Sequence, residues 1–535
     1  MRQACTLVCF IISLALCGVS GCGGGAGGKP NDTTAPPPAA ITTPGTLAVS
    51  PPLRLVSLTA TGFTTELSTH PGGAELISAI GNPACGVDFY ELHFWTRGGA
   101  NETTESSGAM MVPTGNGKNC TGSRPIVLYA HGTQRTKNAN IANPTNRDNT
   151  EGDLIAAIFA SQGYIVVAPN YAGYDISTLG YHPYLNATQQ SGEMMDSLKA
   201  ARTALSGSLN STISDSGKLF VTGYSQGGYV ALATVRALEL AKSPITAAAP
   251  MSGPYALEAF ADAVFFGSVN NGATVLLPLL TSSYQHAYGN IYAATSDIYN
   301  SLYATGIDTL LPSTTPISTL YATGKLPEHA LFNDTTPVVT LADQPLLATQ
   351  VTTALALPKN PDFAAGFGTN ALITNAYRAS YAIDAALNPD GAIGNGTPSP
   401  GSPIAAKAPS HPLRHALYLN DLRGGDWAPS TPLLLCGGRL DPSVFYSLNT
   451  GALLAHWNSQ GVPMTLVASL DMGATPSGTF KSLQQEFQAS QQALFAYYLS
   501  SGNNPEEAIK ALQDTYHAAL APFCARAART YFDRY

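Results

Sequence analysis

The sequence predicts an α/β fold: a mainly parallel sheet with helices on both faces, interrupted late by a mostly helical insertion. Three observations carry this. From residue 124 onward, short apolar runs bounded by turn residues alternate with helical patterns, and such alternation argues for a parallel sheet buried on both sides. The alternation stops after Met251-Ser252-Gly253-Pro254 and resumes at Thr431. Gly223-Tyr224-Ser225-Gln226-Gly227 stands where a strand pattern gives way to a helix pattern.

Taken in order, residues 87–97 and 106–112 read as an antiparallel pair at the sheet edge. Buried strands follow at 124–130, 164–169, 219–222, 245–250, 432–436 and 464–469, each short, apolar and closed by turn residues. Helical patterns fill 152–161, 192–205 and 228–241. The expected organisation is a leader at 1–21 and a flexible tether at 22–52. The first part of the core then spans 53–254, a cap insertion 255–428, and the second part of the core 429–535. Within the cap, Tyr284, Tyr288, Tyr292, Tyr299 and Tyr303 recur at spacings that place them along one helical face; packing inside the cap is the plainer reading, a substrate-lining stripe the sharper one.

A serine hydroxyl becomes a nucleophile only when a base takes its proton. The small residues flanking Ser225 permit the sharp strand-to-helix turn that lifts its Oγ above a sheet. The Gln226 amide then opens a helix, where negative charge is favoured, and serves as one expected oxyanion donor. The second is the amide of Thr133, in His131-Gly132-Thr133 after an earlier strand. His131 precedes the serine, against the Ser–acid–His order of such sites, and is expected to prop the backbone. Of ten histidines only His517 follows the last strand, and it is the expected base. Asp441, in Gly437-Gly438-Arg439-Leu440-Asp441-Pro442, is the expected acid, with Asp471 and Asp514 as rivals. A carboxylate in that role orients the imidazole and stabilises its charged form.

Five cysteines remain once residues before 22 are set aside: Cys22, Cys85, Cys120, Cys436 and Cys524. With Cys22 otherwise engaged, the other four suit two disulfides in an oxidising compartment. Cys436–Cys524 would hold the acid and base loops together, and Cys85–Cys120 would pin the edge strands. Neither Cys-x-x-Cys nor His-Glu-x-x-His occurs, so neither metal nor cofactor is expected. The net charge of −8 and the lack of Lys/Arg blocks exclude nucleic acid as an expected partner.

The N-terminus carries Arg2, an apolar run over 4–19 and then Val19-Ser20-Gly21-Cys22. The run has the length of a signal-peptide core rather than a membrane span. The last four residues resemble a bacterial lipobox. That resemblance implies lipidation at Cys22, export, and, with Gly23 following, anchoring at the outer membrane. The Gly/Pro/Thr/Ala-rich stretch that follows cannot bury enough apolar surface to order itself.

The core motifs resemble those of the α/β-hydrolase superfamily. More narrowly, they are similar to the secretory lipase group typified by fungal lipase A and to its bacterial esterase relatives. His131-Gly-Thr133, Ala168-Pro-Asn-Tyr-Ala-Gly-Tyr174, Gly223-Tyr-Ser-Gln-Gly-Gly228, Cys436-Gly-Gly-Arg-Leu-Asp441 and Tyr516-His517 before Pro522-Phe-Cys524 carry the likeness. It implies an α/β-hydrolase fold and cleavage of carboxylic esters, including lipids. It also implies Ser225, Asp441 and His517 as triad and a cap over an acyl-binding pocket. A serine peptidase or polyester depolymerase on the same fold stays open, as does, from another class, a non-catalytic surface binding module.

Overall fold

A computed structural model of the chain describes residues 42–535 apart from 71, 147–148, 210–211, 357–359, 395–396 and 399–403. The expected leader, Cys22 and the tether as far as residue 41 lie outside the described residues. The expected tether ends earlier than residue 52. The amides of Gly45 and Ala48 donate to the carbonyls of Trp95 and His93 at 2.8 Å, and the Trp95 amide donates back to Thr46 at 3.0 Å. These main-chain bonds, with Leu47 packed against the core, hold the segment in place.

The nine-stranded sheet has the order β1-β2-β3-β5-β4-β6-β7-β8-β9. Its strands are β1 (Leu53–Leu58), β2 (Gly86–Arg97), β3 (Thr103–Thr114), β4 (Gly122–Ala130), β5 (Ile165–Pro169), β6 (Ile213–Tyr224), β7 (Ala247–Met251), β8 (Leu433–Gly437) and β9 (Val467–Asp471). β1, β2 and β3 pair antiparallel, β3 meets β5 antiparallel, and the rest of the sheet is parallel. The sheet is thus mainly parallel, as the alternation of patterns predicts, and the fold is that of an α/β-hydrolase, as the resemblance implies. One expectation changes: β2 and β3 are not at the edge, because β1 flanks them. β1 is mostly exposed, so its sequence carries no buried-strand signature.

Side chains alternate between two cores because successive residues of a strand point to opposite faces. Ile126, Leu128, Leu219, Val221, Leu433 and Leu435 face one core, and Val127, Tyr129, Phe220, Leu434 and Cys436 the other. The second core is closed by α1 (Ala60–Ser68), α2 (Gly73–Ile80) and α3 (Thr150–Ile158), together with the C-terminal helices. The first is closed by α4 (Ala187–Thr203) and α5 (Gln226–Leu240).

Between β7 and β8 the chain runs through α6 (Leu257–Phe265), α7 (Ala273–Tyr288), α8 (Ile317–Ala322), α9 (Pro345–Ala354), α10 (Asn375–Leu387) and α11 (Pro412–Asn420). Arg414 ties three of these together. Its Nε and Nη2 donate to Asp262 of α6 at 2.9 and 2.8 Å, and its Nη1 to Asp384 of α10 at 2.8 Å. The tyrosine stripe does not lie on one helix, since α7 ends at Gly289 with φ 72°, a conformation that glycine adopts without steric cost. Tyr284, Tyr299 and Tyr303 are nonetheless buried; their hydroxyls bond to the Leu185 carbonyl, the Thr281 hydroxyl and the Asn370 carbonyl. Tyr288 is partly exposed.

After β8 come α12 (Ala452–Ser459), β9, α13 (Lys481–Ser500) and α14 (Pro505–Phe532). Asn504 caps α14 reciprocally with Glu507, the arrangement that satisfies otherwise orphaned amides. α14 runs through residue 517, so His517 rides on a helix rather than on a loop. Disulfides join Cys85 to Cys120 and Cys436 to Cys524, with Cα–Cα distances of 5.4 and 5.6 Å. Among the described residues no helix is long and apolar enough to cross a membrane, and no cluster of His, Cys, Asp or Glu has a metal-holding arrangement.

Candidate active site

The C-terminal ends of the parallel strands converge at one place. Ala130 of β4 lies opposite Gly223 of β6, Tyr224 opposite Met251 of β7, and Met251 opposite Cys436 of β8. Ser225 sits between β6 and α5 with φ 59° and ψ −121°, and its amide donates to the Met251 carbonyl at 3.0 Å. A non-glycine residue at positive φ is strained, and such strain concentrates where a side chain must be presented at one angle. The motif's glycines are sterically required. A Cβ on Gly223 would stand 2.4 Å from the Ala130 carbonyl oxygen, and one on Gly227 1.9 Å from the same atom.

His517 reaches this point from α14. Its Nε2 lies 2.8 Å from Ser225 Oγ, and its Nδ1 2.6 Å from Asp441 Oδ2. With the carboxylate accepting the Nδ1 proton, Nε2 is left as the acceptor for the serine hydroxyl. Asp441 is held in turn: its Oδ1 accepts from the amides of Ser443 at 2.9 Å and Val444 at 3.0 Å. The Asp441 side chain is buried and that of His517 nearly so. The Tyr224 ring lies tilted against the imidazole with centroids 5.0 Å apart, and its hydroxyl donates to the His517 carbonyl. The rival acids are engaged elsewhere. Asp471 takes Arg439 Nε at 2.6 Å and the Gly473 amide at 2.8 Å. Asp514 takes Lys510 at 3.0 Å and Asn271 at 3.2 Å.

The expected oxyanion donors flank the same serine. A Cβ on Gly132 would stand 3.8 Å from Ser225 Cβ, so the loop after β4 abuts the turn. Among the described residues the main-chain N–H groups of Thr133 and Gln226 donate to no protein acceptor. The groups that flank Thr133 are engaged. Tyr171 Oη donates to the His131 carbonyl at 3.0 Å, His131 Nδ1 to the Gly132 carbonyl at 2.7 Å, and Tyr174 Oη to the Gln134 carbonyl at 2.7 Å. The imidazole of His131 packs on Tyr171 with centroids 4.1 Å apart; burial pushes it down to about 4, which keeps it neutral.

Sequence reasoning missed two residues here. Gln226 Nε2 donates to His182 Nε2 at 2.7 Å, while His182 Nδ1 donates to the Ala172 carbonyl at 2.8 Å. This fixes one neutral tautomer, and burial pushes the ring down to about 3. Glu151, in the first turn of α3, accepts from Tyr129 Oη and from the Gly132 amide. Neither residue belongs to a motif. The spacing of hydrophobic residues places α3 but says nothing of which side chain its first turn turns inward.

Comparison with known proteins agrees with this architecture. The prolyl oligopeptidase family (Peptidase_S9) matches residues 151–253, the stretch from Glu151 past the Ser225 turn. No curated protein matches the sequence. The structure is similar to that of the rice cell wall degrading esterase LipA from Xanthomonas oryzae. The two are 24% identical, 92% of this chain and 99% of that one are covered, and the TM-score is 0.63. It is also similar to a presumed hydrolase from Legionella pneumophila, at 19% identity, 90% and 96% coverage and a TM-score of 0.54. At these identities the likeness establishes the fold. Family match and structural neighbours fall within the α/β-hydrolase superfamily that the motifs resemble.

Proposed function

We propose that this chain is a serine carboxylic-ester hydrolase, with Ser225 as nucleophile, His517 as general base and acid, and Asp441 as the residue that orients it. The observation that carries the reading is the unbroken hydrogen-bond sequence Ser225 Oγ–His517 Nε2, His517 Nδ1–Asp441 Oδ2. Ser225 Oγ attacks the ester carbonyl as its proton passes to Nε2, and the carbonyl oxygen takes the developing charge. The amides of Gln226 and Thr133 stabilise that oxyanion. Collapse expels the alkoxide, which leaves as the alcohol with the proton from Nε2. The acyl group stays on Ser225 until a water, deprotonated by the same nitrogen, releases the carboxylic acid.

That the fold-related esterase from Xanthomonas oryzae degrades rice cell wall supports an ester substrate without identifying it. The prolyl oligopeptidase match over the Ser225 turn favours a second reading, a peptidase using the same residues. A series of p-nitrophenyl esters of increasing acyl length, run beside aminoacyl-p-nitroanilides, separates the two. Ester turnover exceeding anilide turnover by several orders of magnitude is expected, and the reverse ranking contradicts the first reading. The proposal extends to the N-terminus: Val19-Ser20-Gly21-Cys22 marks an exported lipoprotein, with Cys22 as the lipidated residue, a short tether and an outer-membrane anchor. Radiolabelled palmitate should enter the wild-type chain and not Cys22→Ala; equal labelling of both would contradict this.

A further inference from the structure

We propose that Glu151 is a positioning residue for the same reaction, its carboxylate fixing the loop 131–134 so that the Thr133 amide faces the oxyanion. The inference rests on the serine hydrolase reading and adds a residue to it. The Gly132 amide donates to Glu151 Oε1 at 3.0 Å and Oε2 at 3.2 Å, and Tyr129 Oη donates to Oε1 at 2.8 Å. Gly132 itself lies between the two residues: a Cβ there would stand 3.5 Å from Glu151 Oε2 and 3.8 Å from Ser225 Cβ.

The loop is thus clamped at three residues. His131 is held through its carbonyl by Tyr171, Gly132 through its amide by Glu151, and Gln134 through its carbonyl by Tyr174. The amide between them, that of Thr133, has no protein acceptor among the described residues. Of the clamps, Glu151 is the one that grips an N–H: it holds the 131–132 peptide, whose carbonyl Tyr171 takes. It so fixes Gly132, from which the Thr133 peptide runs with its carbonyl accepting from His131 Nδ1 at 2.7 Å. A hydrogen-bond donor preorganised in this way costs no rearrangement when charge develops on the substrate.

The choice of a carboxylate is costly. Burial pushes the Glu151 carboxyl up to about 7, against which the bonds from Tyr129 and Gly132 pull it down. The titratable groups around it are Tyr129 on β4, Tyr171 after β5 and Tyr224 at the end of β6, all raised by burial and by its charge. Among the described residues no arginine or lysine forms an ion pair with it. A side chain serving only to fill space would not be an acid here, and groups kept at a cost to stability concentrate at working sites.

The sign follows from the raised value. The unfolded chain releases the Glu151 proton more readily than the folded one, so stability from this group declines as pH rises through the ordinary carboxyl range to about 7. Replacing the acid by a neutral acceptor should therefore relieve the protein above that pH.

The test is Glu151→Asp, which keeps the charge and withdraws it from Gly132, with Glu151→Gln as the neutral variant whose Oε1 can still accept from Tyr129 and Gly132. Both are assayed with a short p-nitrophenyl ester at pH 8, beside the melting temperature and the Ki of phenylboronic acid, which forms a tetrahedral adduct on the serine. For Glu151→Asp, kcat should fall about tenfold or more with KM nearly unchanged, and boronate affinity should weaken by the same factor as kcat/KM. For Glu151→Gln, kcat and boronate affinity should stay near those of the wild type, and the melting temperature at pH 8 should equal or exceed the wild type's. Wild-type kcat in Glu151→Asp overturns the inference, as does a loss of kcat there that tracks a loss of melting temperature. Ser225→Ala assayed alongside separates the two levels. If it is inactive while Glu151→Asp is normal, only this inference fails; if it is active, the hydrolase reading fails with it.

Discussion

Replacing Asp441 by asparagine tests how the acid works, because the structure limits what the substitution disturbs. Asp441 Oδ1 accepts from two amides, Ser443 at 2.9 Å and Val444 at 3.0 Å, and an asparagine carbonyl can keep both. The change falls at Oδ2, 2.6 Å from His517 Nδ1, where an amide NH2 would replace an acceptor. Two donors cannot share that contact, so the imidazole moves its proton from Nδ1 to Nε2. That nitrogen stands 2.8 Å from Ser225 Oγ and would then donate rather than accept, so the serine loses its base. The expected loss in kcat is about 10⁴-fold, equivalent to about 5.5 kcal/mol in the barrier. KM and the unfolding midpoint should move little, since the two amide bonds survive. Steady-state hydrolysis of a p-nitrophenyl ester beside urea unfolding measures both. A loss below tenfold, or an equal loss from Asp471→Asn, would refute the assignment of the acid.

Two further outcomes follow from other parts of the structure. The Cys436–Cys524 bond spans 88 positions, so removing it with a Cys436→Ala/Cys524→Ala pair should lower unfolding stability by about 4–5 kcal/mol, read from urea titration. His182, held neutral with its ring pushed down to about 3, charges more readily when unfolded. Its contribution is therefore complete above about pH 6.5 and is lost as pH falls toward 3, amounting to about 3 kcal/mol by pH 4. His131, pushed down to about 4, adds a loss in the same direction. Urea titrations at pH 7, 5 and 4 should show a shallower decline for His182→Gln than for the wild type.

The parallel strands and the Ser225 turn were legible because burial on both faces leaves continuous apolar runs, and because Gly223 and Gly227 have no substitute against the Ala130 carbonyl. Elimination by chain order led to His517 and Asp441, and the structure brings the two side chains into contact. β1 was hidden: an edge strand with most residues exposed is held by pairing with β2 rather than by hydrophobicity. The base is expected on a loop, whereas α14 carries His517 and continues through Pro522 to Phe532. The tyrosine repeat misled because periodicity ignores Gly289, which stops α7 before the pattern does. Glu151 and His182 carry no pattern at all, since their roles depend on which backbone groups the tertiary fold leaves in need of a partner.

The central claim is that Ser225 Oγ is the nucleophile that forms a covalent intermediate, and trapping it is the most direct test. The intact chain treated with a fluorophosphonate and digested for mass spectrometry should carry one adduct, on the peptide containing Ser225. The adduct should be absent from Ser225→Ala and slow to form in His517→Ala, and ester hydrolysis should vanish in step with labelling. An adduct on another residue, or turnover that persists in Ser225→Ala, would contradict the account.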